Sequence, residues 1–269
     1  MQNLKRTFLG IALVTALFFG ALPAGATEKL SKVEQLKTEK LAAQRGTVGQ
    51  MLAEELLGEN SGLLLTTYEK YVDAIAALRQ QKVRAVIMDE GPAKRFLANV
   101  PGLAIMPEPL SEESYAIGFK KGNDALRSRV DEALEAMKQD GTLQAIIDKY
   151  NDNIDVNPED IDLNVGAAGG KLVMGTEAGF APYELKVGEG YIGIDIEMAA
   201  AIARRLGMEL QIENLNFDAL PMAVASGKVD MICAGISVTE ERKKNMDFSI
   251  NYVDGAKQVA VVRADDLSE

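Results

Sequence analysis

The chain has 269 residues, 47% hydrophobic and 26% charged, with 29 Lys and Arg against 40 Asp and Glu. A net charge of −11 argues against nucleic acid and anionic membrane surfaces as partners. The sequence has no His and one Cys, Cys233, which removes the commonest acid–base side chain, any intramolecular disulfide and most zinc chemistry.

Met1–Ala26 opens with Lys5 and Arg6, runs apolar from Phe8 to Leu22 and ends Ala24-Gly25-Ala26 before Thr27. A short apolar run before a small-x-small site predicts a cleaved secretory signal rather than a membrane anchor. No Cys follows the cut, so a lipid anchor is not expected. The remaining chain of about 240 residues is large enough for one large or two small domains. It carries 27 cations against 40 acids, a net of −13.

Two blocks of alternating strand and helix patterns follow. In the first, Lys40–Ala43 reads as a strand leading to Gly46-Thr47-Val48-Gly49 and a helix over Gln50–Leu57. Leu63–Thr66 is the next strand, followed by a helix through Tyr71, Ile75 and Leu78. Val83–Met88 is a buried-type strand with Asp89 at its carboxyl end, and Leu103–Met106 and Tyr115–Lys120 complete the set. Such alternation implies a parallel sheet covered by helices, with ligands at the carboxyl ends of its strands. Asn123–Tyr150 carries Leu126, Val130, Leu134 and Met137, then Leu143, Ile146 and Ile147, at helix spacing. Asn151–Gly170, acidic, Asn-rich and closing on Gly-Ala-Ala-Gly-Gly, reads as a linker, the alternative being an excursion packed on a lobe.

The second block starts with a strand, Lys171–Gly175, and continues Thr176-Glu177-Ala178-Gly179-Phe180-Ala181-Pro182-Tyr183. A helix is expected over Gly193–Leu206, a strand over Leu210–Ile212, a helix over Phe217–Ala225 ended by Gly227, and a last strand over Gln258–Val262. Between these lies Met231–Ser249, MICAGISVTEERKKNMDFS. An apolar run ends in Ala234-Gly235 and Ser237. Thr239 is a good N-cap, Glu240 and Glu241 suit the positive helix end, and Arg242 sits in the first turn. A strand–loop–helix corner with free amides, a hydroxyl and a two-donor guanidinium can grip a carboxylate. The same residues equally suit a surface helix start whose Arg pairs with Glu.

GTEAGFAPYEL, GIDIEMAAAIARRLG, FDALPMAVASGKVDMICAGISVTEERKKNMDFS and YVDGAKQVAVV together resemble the amino-acid-binding periplasmic proteins of ABC importers. LKTEKLAAQRGTVGQ, KVRAVIMDE and LEAMKQDGTLQAIIDKY resemble segments of that family's second lobe and C-terminus. The resemblance implies a type II, two-lobed α/β periplasmic binding protein (Venus-flytrap) fold. The blocks stand in the wrong order for that family, so the chain looks like a circular permutant. Under that reading residues 1–26 are the signal and 27–115 form lobe 2, the smaller α/β lobe. Residues 116–150 supply a hinge strand and the C-terminal helices of lobe 1. Residues 151–170 join the family's original ends, and 171–269 form the main part of lobe 1 and the second hinge strand.

Roles implied by the resemblance follow residue by residue. Arg242 grips the ligand α-carboxylate, with backbone N–H groups near Ser237 and at Thr47 and Val48. Asp89 accepts the α-ammonium with the Gly235 carbonyl and the Ser237 hydroxyl. Phe180 and Phe217 sandwich the ligand side chain, Ala234 stands where many relatives carry Ser, and Glu177 suits a polar or cationic end. The implied function is extracytoplasmic capture of an amino acid, polar or cationic, and delivery to an ABC transporter permease, by a monomer in the periplasm. The alternatives are a dehydratase-like enzyme on the same fold and a sensory module. No cofactor is expected, and no metal, since no carboxylate cluster has ligand-loop spacing.

Overall fold

Residues 28–152, 156–161 and 169–268 are described by the structure, a computed structural model. The expected signal, Met1–Ala26, lies outside the described residues. The first lobe in chain order contains β1 (Leu41–Gln44), α1 (Val48–Leu57), α2 (Ser61–Leu64), β2 (Leu65–Tyr68), α3 (Tyr71–Arg79), β3 (Ala85–Asp89), α4 (Glu90–Asn99) and β4 (Leu103–Ile105). From there β5 (Ser111–Lys120) leads into the other lobe, to α5 (Asp124–Gln139) and α6 (Thr142–Asp152). That lobe continues with β6 (Lys171–Thr176), β7 (Gly179–Phe180), β8 (Glu184–Val187), β9 (Gly190–Ile192), α7 (Ile194–Leu206) and β10 (Glu209–Asn214). Then come α8 (Leu220–Ser226), β11 (Met231–Ile232), α9 (Glu240–Lys243) and β12 (Met246–Arg263). The lobe built on β6 is called lobe 1 and the lobe built on β1 lobe 2.

Among the described residues, nine strands join into one sheet of order β10-β6-β11-β5-β12-β3-β1-β2, with β4 on the free side of β12. The sheet is continuous because β5 and β12 belong to both lobes. In lobe 1, β5 pairs with β11 through Gly118 and Phe119. In lobe 2, β12 pairs antiparallel with β3 from Gln258 to Val262. Between these ends β5 and β12 pair with each other, and their register shifts three times between Phe248 and Ala256. Such irregularities bend and twist a ladder locally, which suits a crossing between two bodies.

Each lobe's sheet is covered on both faces, and strand alternation sorts the side chains. In lobe 2, Ala85 and Ile87 join Ala260 and Val262 beneath α1, while Val86 and Met88 join Val259 and Val261 beneath α3. In lobe 1, Met231 and Cys233 pack toward α5 and α7, while Ile232 and Ala234 pack toward α8. A period of two with both faces apolar is the pattern of a buried parallel sheet. Gly49 lets α1 lie directly on β3, since a Cβ there would stand 2.7 Å from the Ile87 carbonyl oxygen.

Several expectations need correction. The last strand, expected over Gln258–Val262, begins earlier: those residues are the lobe 2 end of an 18-residue strand that starts at Met246. Leu63–Thr66 straddles a boundary: Ser61–Leu64 is a helical turn and the strand starts at Leu65. The helical stretch 123–150 breaks at Gly141, whose φ of +81° ends α5. The expected linker 151–170 does more than connect. In its described part Pro158 packs against Gly190, and Ile161 is buried in the lobe 1 core; residues 153–155 and 162–168 lie outside the described residues.

The two ends of the described chain meet in lobe 2. Leu30 and Leu267 form a parallel bridge, with Leu30 N–H donating to the Asp266 carbonyl at 2.7 Å and Ser268 N–H to the Leu30 carbonyl at 2.8 Å.

Candidate functional site

Where the carboxyl ends of β1, β3, β6 and β11 face one another across the lobes, they line one narrow cleft with a cavity volume of about 10 Å³. The lining contains all ten residues singled out from sequence: Thr47, Val48, Asp89, Glu177, Phe180, Phe217, Ala234, Gly235, Ser237 and Arg242. It also contains Gln44, Glu184 and Gln258, which sequence reasoning missed. Gln44 stands at the carboxyl end of β1, the position that the strand-end rule marks. Nothing in the local pattern sets Glu184 or Gln258 apart.

Arg242 is placed by a short helix. Thr239 caps α9 by accepting the Arg242 N–H at 3.1 Å. The side chain turns back over the loop, Nη1 donating to the Ser237 carbonyl at 2.7 Å and Nη2 across the cleft to the Gly46 carbonyl at 3.0 Å. Its guanidinium lies 5.4 Å from the centre of the Phe217 ring. Among the described residues no carboxylate lies within ion-pair distance of it. The alternative of a surface Arg paired with Glu is therefore not the arrangement found; Glu240 and Glu241 pair instead with Lys243 and Lys244. Opposite, Thr47 caps α1, accepting from Gln50 N–H at 3.2 Å and donating to the Gln44 carbonyl at 2.7 Å. The first amides of α1, at Val48 and Gly49, have no carbonyl inside the helix to bond and point to the positive helix end.

Asp89 ends β3 and is buried. It accepts the Tyr115 hydroxyl proton. Burial, with the nearby Glu113 charge, pushes its carboxyl up to about 7 against the pull of the Tyr115 bond. Ser237 donates to Glu113, and Gln258 Nε2 approaches the same carboxylate at 3.5 Å. Phe180 comes from lobe 1 but stacks on lobe 2's Tyr71 at 5.9 Å and on Tyr183 at 5.7 Å. Gly235 holds a φ of +52° directly beneath that ring, where a Cβ would come 2.6 Å from a Phe180 carbon. Glu177 is buried and bonded across the cleft to Lys70 and to Gln44 Nε2 at 3.2 Å. Arg45 bridges the mouth between Asp218 at 3.8 Å and Glu69 at 3.9 Å.

Beneath the loop, Glu184 and Asp195 form a buried acidic pair. Asp195 Oδ2 accepts the Gly235 N–H at 2.8 Å and the Tyr252 hydroxyl at 2.9 Å, so it holds the loop that carries Ala234 to Ser237. Burial lifts Asp195 to about 7, and burial plus the Asp195 charge lifts Glu184 well above the carboxylate range. The folded protein then keeps protons that the unfolded chain releases above about pH 4. This stability is present below pH 4 and is lost as pH rises through 7. Unfolding by urea should show the wild type less stable at pH 8 than at pH 5, by about 2 kcal/mol for Asp195, with Glu184 acting in the same direction. Glu184→Gln removes one of the two titrating groups and should flatten the decline; an equally steep decline in the variant would refute the assignment.

Residues 30–153 and 172–268 match the family described as bacterial extracellular solute-binding proteins, family 3. The arginine-binding extracellular protein ArtP of Bacillus subtilis (strain 168) is 41% identical over 91 residues, covering 33% of this chain and 36% of that protein. The L-cystine-binding protein TcyJ of Escherichia coli (strain K12) is 27% identical over 98 residues, 36% of this chain and 37% of that one. The chain thus spans about a third of the length of these relatives. A solved arginine-bound form of truncated ArgBP from T. maritima is 43% identical, with a TM-score of 0.27, over 28% of this chain and 36% of that chain.

Proposed function

The chain belongs to the bacterial extracellular solute-binding proteins, family 3, and from that premise we propose that it captures one amino acid between its lobes and delivers it to an ABC importer. The observation that carries this reading is the pairing of opposite charges across one cleft. A guanidinium that has no carboxylate partner among the described residues comes from lobe 1, and a buried carboxylate, Asp89, comes from lobe 2. A zwitterion satisfies both at once: its carboxylate takes the Arg242 fork and the first amides of α1, its ammonium takes Asp89, Ser237 and the Gly235 carbonyl. Phe180 and Phe217 then flank the side chain, and Glu177 stands at its far end. Binding without turnover fits a chain with no His, whose cleft carboxylates Asp89 and Glu177 already accept hydrogen bonds.

The same reading makes the protein a periplasmic monomer released by cleavage after Ala26, and its order a circular permutation of the family's. What supports the permutation is that the described ends lie side by side in lobe 2, as two sides of one cut loop would. Its family match also falls in two segments separated at residues 154–171.

A thermal-shift screen of the protein from Thr27 onward against the twenty amino acids tests the reading. One amino acid or a related set should stabilise it, by about 2.7 kcal/mol at a hundred times Kd; no shift with any of them would overturn capture. Affinity should also depend on pH. Asp89 must be ionised to receive an ammonium, and in the free protein it titrates at about 7. Binding should therefore tighten about tenfold between pH 6 and pH 8. Titration calorimetry checks this, and Asp89→Asn should bind weakly with no such dependence.

A further inference from the structure

Glu177 closes the far end of the cleft, and its charge is already balanced. Both carboxylate oxygens are engaged, Oε1 by the Lys70 ammonium and Oε2 by Gln44 Nε2. The Gln44 amide is itself fixed by a bond to the Glu69 carbonyl at 2.8 Å. Glu177 belongs to lobe 1, Lys70 and Gln44 to lobe 2, so the pair spans the cleft. Lys70 sits at the N-cap of α3, next to Tyr71, whose ring stacks on Phe180. The other cation at the mouth, Arg45, is held between Asp218 and Glu69.

We propose that Lys70 determines specificity: by neutralising Glu177 from across the cleft, it makes the site select an amino acid with an uncharged, amide-type end group over one with a guanidinium or ammonium. The inference deepens the proposed amino-acid capture and rests on it. A buried carboxylate needs a counter-charge, and here the chain supplies its own. A cationic ligand reaches Glu177 only by displacing Lys70, and with it a contact that holds the lobes together. An amide can donate to the carboxylate edge or accept from the ammonium with the pair intact. Without Lys70 the balance inverts. Closure around a neutral ligand then leaves Glu177 bare, whereas closure around a cation supplies the missing charge.

The test is titration calorimetry with glutamine, citrulline, arginine and lysine on wild type, Lys70→Met and the double variant Lys70→Met/Glu177→Gln. The side chain of Lys70 is 36% exposed at a helix start, so Lys70→Met should fold; circular dichroism and Tm verify it, with Lys70→Gln as a second variant. Wild type should bind glutamine or citrulline at least tenfold tighter than the basic pair. Lys70→Met should move that ratio at least tenfold toward arginine, and the double variant should restore it. A wild type whose tightest ligand is basic or apolar, or a ratio unchanged within threefold in Lys70→Met, overturns the proposal alone. Failure of every amino acid to bind any of the three proteins overturns the capture reading, and this proposal with it.

Discussion

Arg242→Ala is expected to lower affinity for the captured amino acid by on the order of a hundredfold or more while leaving the ligand-free Tm nearly unchanged. Truncating one member of a buried hydrogen-bonded charge pair costs about 2–5 kcal/mol of binding. The ligand carboxylate would then keep only the amides at the start of α1. The ligand-free protein has little to lose. The guanidinium donates to two carbonyls, Ser237 and Gly46, and among the described residues pairs with no carboxylate. Burial alone pulls its ionisation below the ordinary range, a sign that its surroundings bear a cost for holding the charge. Arg242→Lys separates charge from shape: it keeps the cation but loses the planar fork, and should fall between wild type and Ala. Titration calorimetry on the three proteins decides the matter. An Arg242→Ala variant that binds within threefold of wild type would remove the carboxylate grip from this residue.

Much of the site was legible because its backbone signals are local. Thr239 before Glu240-Glu241, Gly46-Thr47 after an apolar strand, and Asp89 closing Ala85–Met88 each mark a strand end or helix start within a few residues. The rule that such ends face the ligand does the rest. The partners of those residues were not legible. Lys70 reaches Glu177 and Arg45 reaches Asp218 only when two lobes more than a hundred residues apart in sequence close on one another. No window of sequence contains both halves of such a pair. The first part of β12, Met246 to Lys257, was missed for a different reason. Asn251, Asp254, Gly255 and Lys257 break its apolar pattern, because that stretch crosses between the lobes rather than lying in either core. Ile161 shows the converse: one buried residue in a polar stretch carries no periodicity to detect.

Arg84→Ala is expected to destabilise the protein by about 2–3 kcal/mol, a drop in Tm of about 5–10 °C, with ligand preference unchanged. Arg84 is 6% exposed and lies under the two chain ends. Its Nη1 pairs with Asp266 at 2.6 Å, its Nη2 donates to the Glu28 carbonyl, and its backbone N–H donates to the Lys40 carbonyl at 2.6 Å. One side chain thereby ties the start of the described chain to its finish. These two segments lie far apart in sequence and must be gathered on folding, so the contacts that gather them count in full. The loss stays at the lower end of the range for a broken buried pair because Arg263 still pairs with Asp266. Arg205→Ala makes the control. Its pair with Asp140 is 33% and 47% exposed, and its removal should cost under about 1 kcal/mol. A Tm for Arg84→Ala no lower than for Arg205→Ala would mean that other contacts, among them the Leu30–Leu267 bridge and the bond from Lys29 to the Asp265 carbonyl, hold the ends. A deep loss that is recovered when Glu28 and Ser268 are joined by a short peptide would show that Arg84 acts by holding the two segments together.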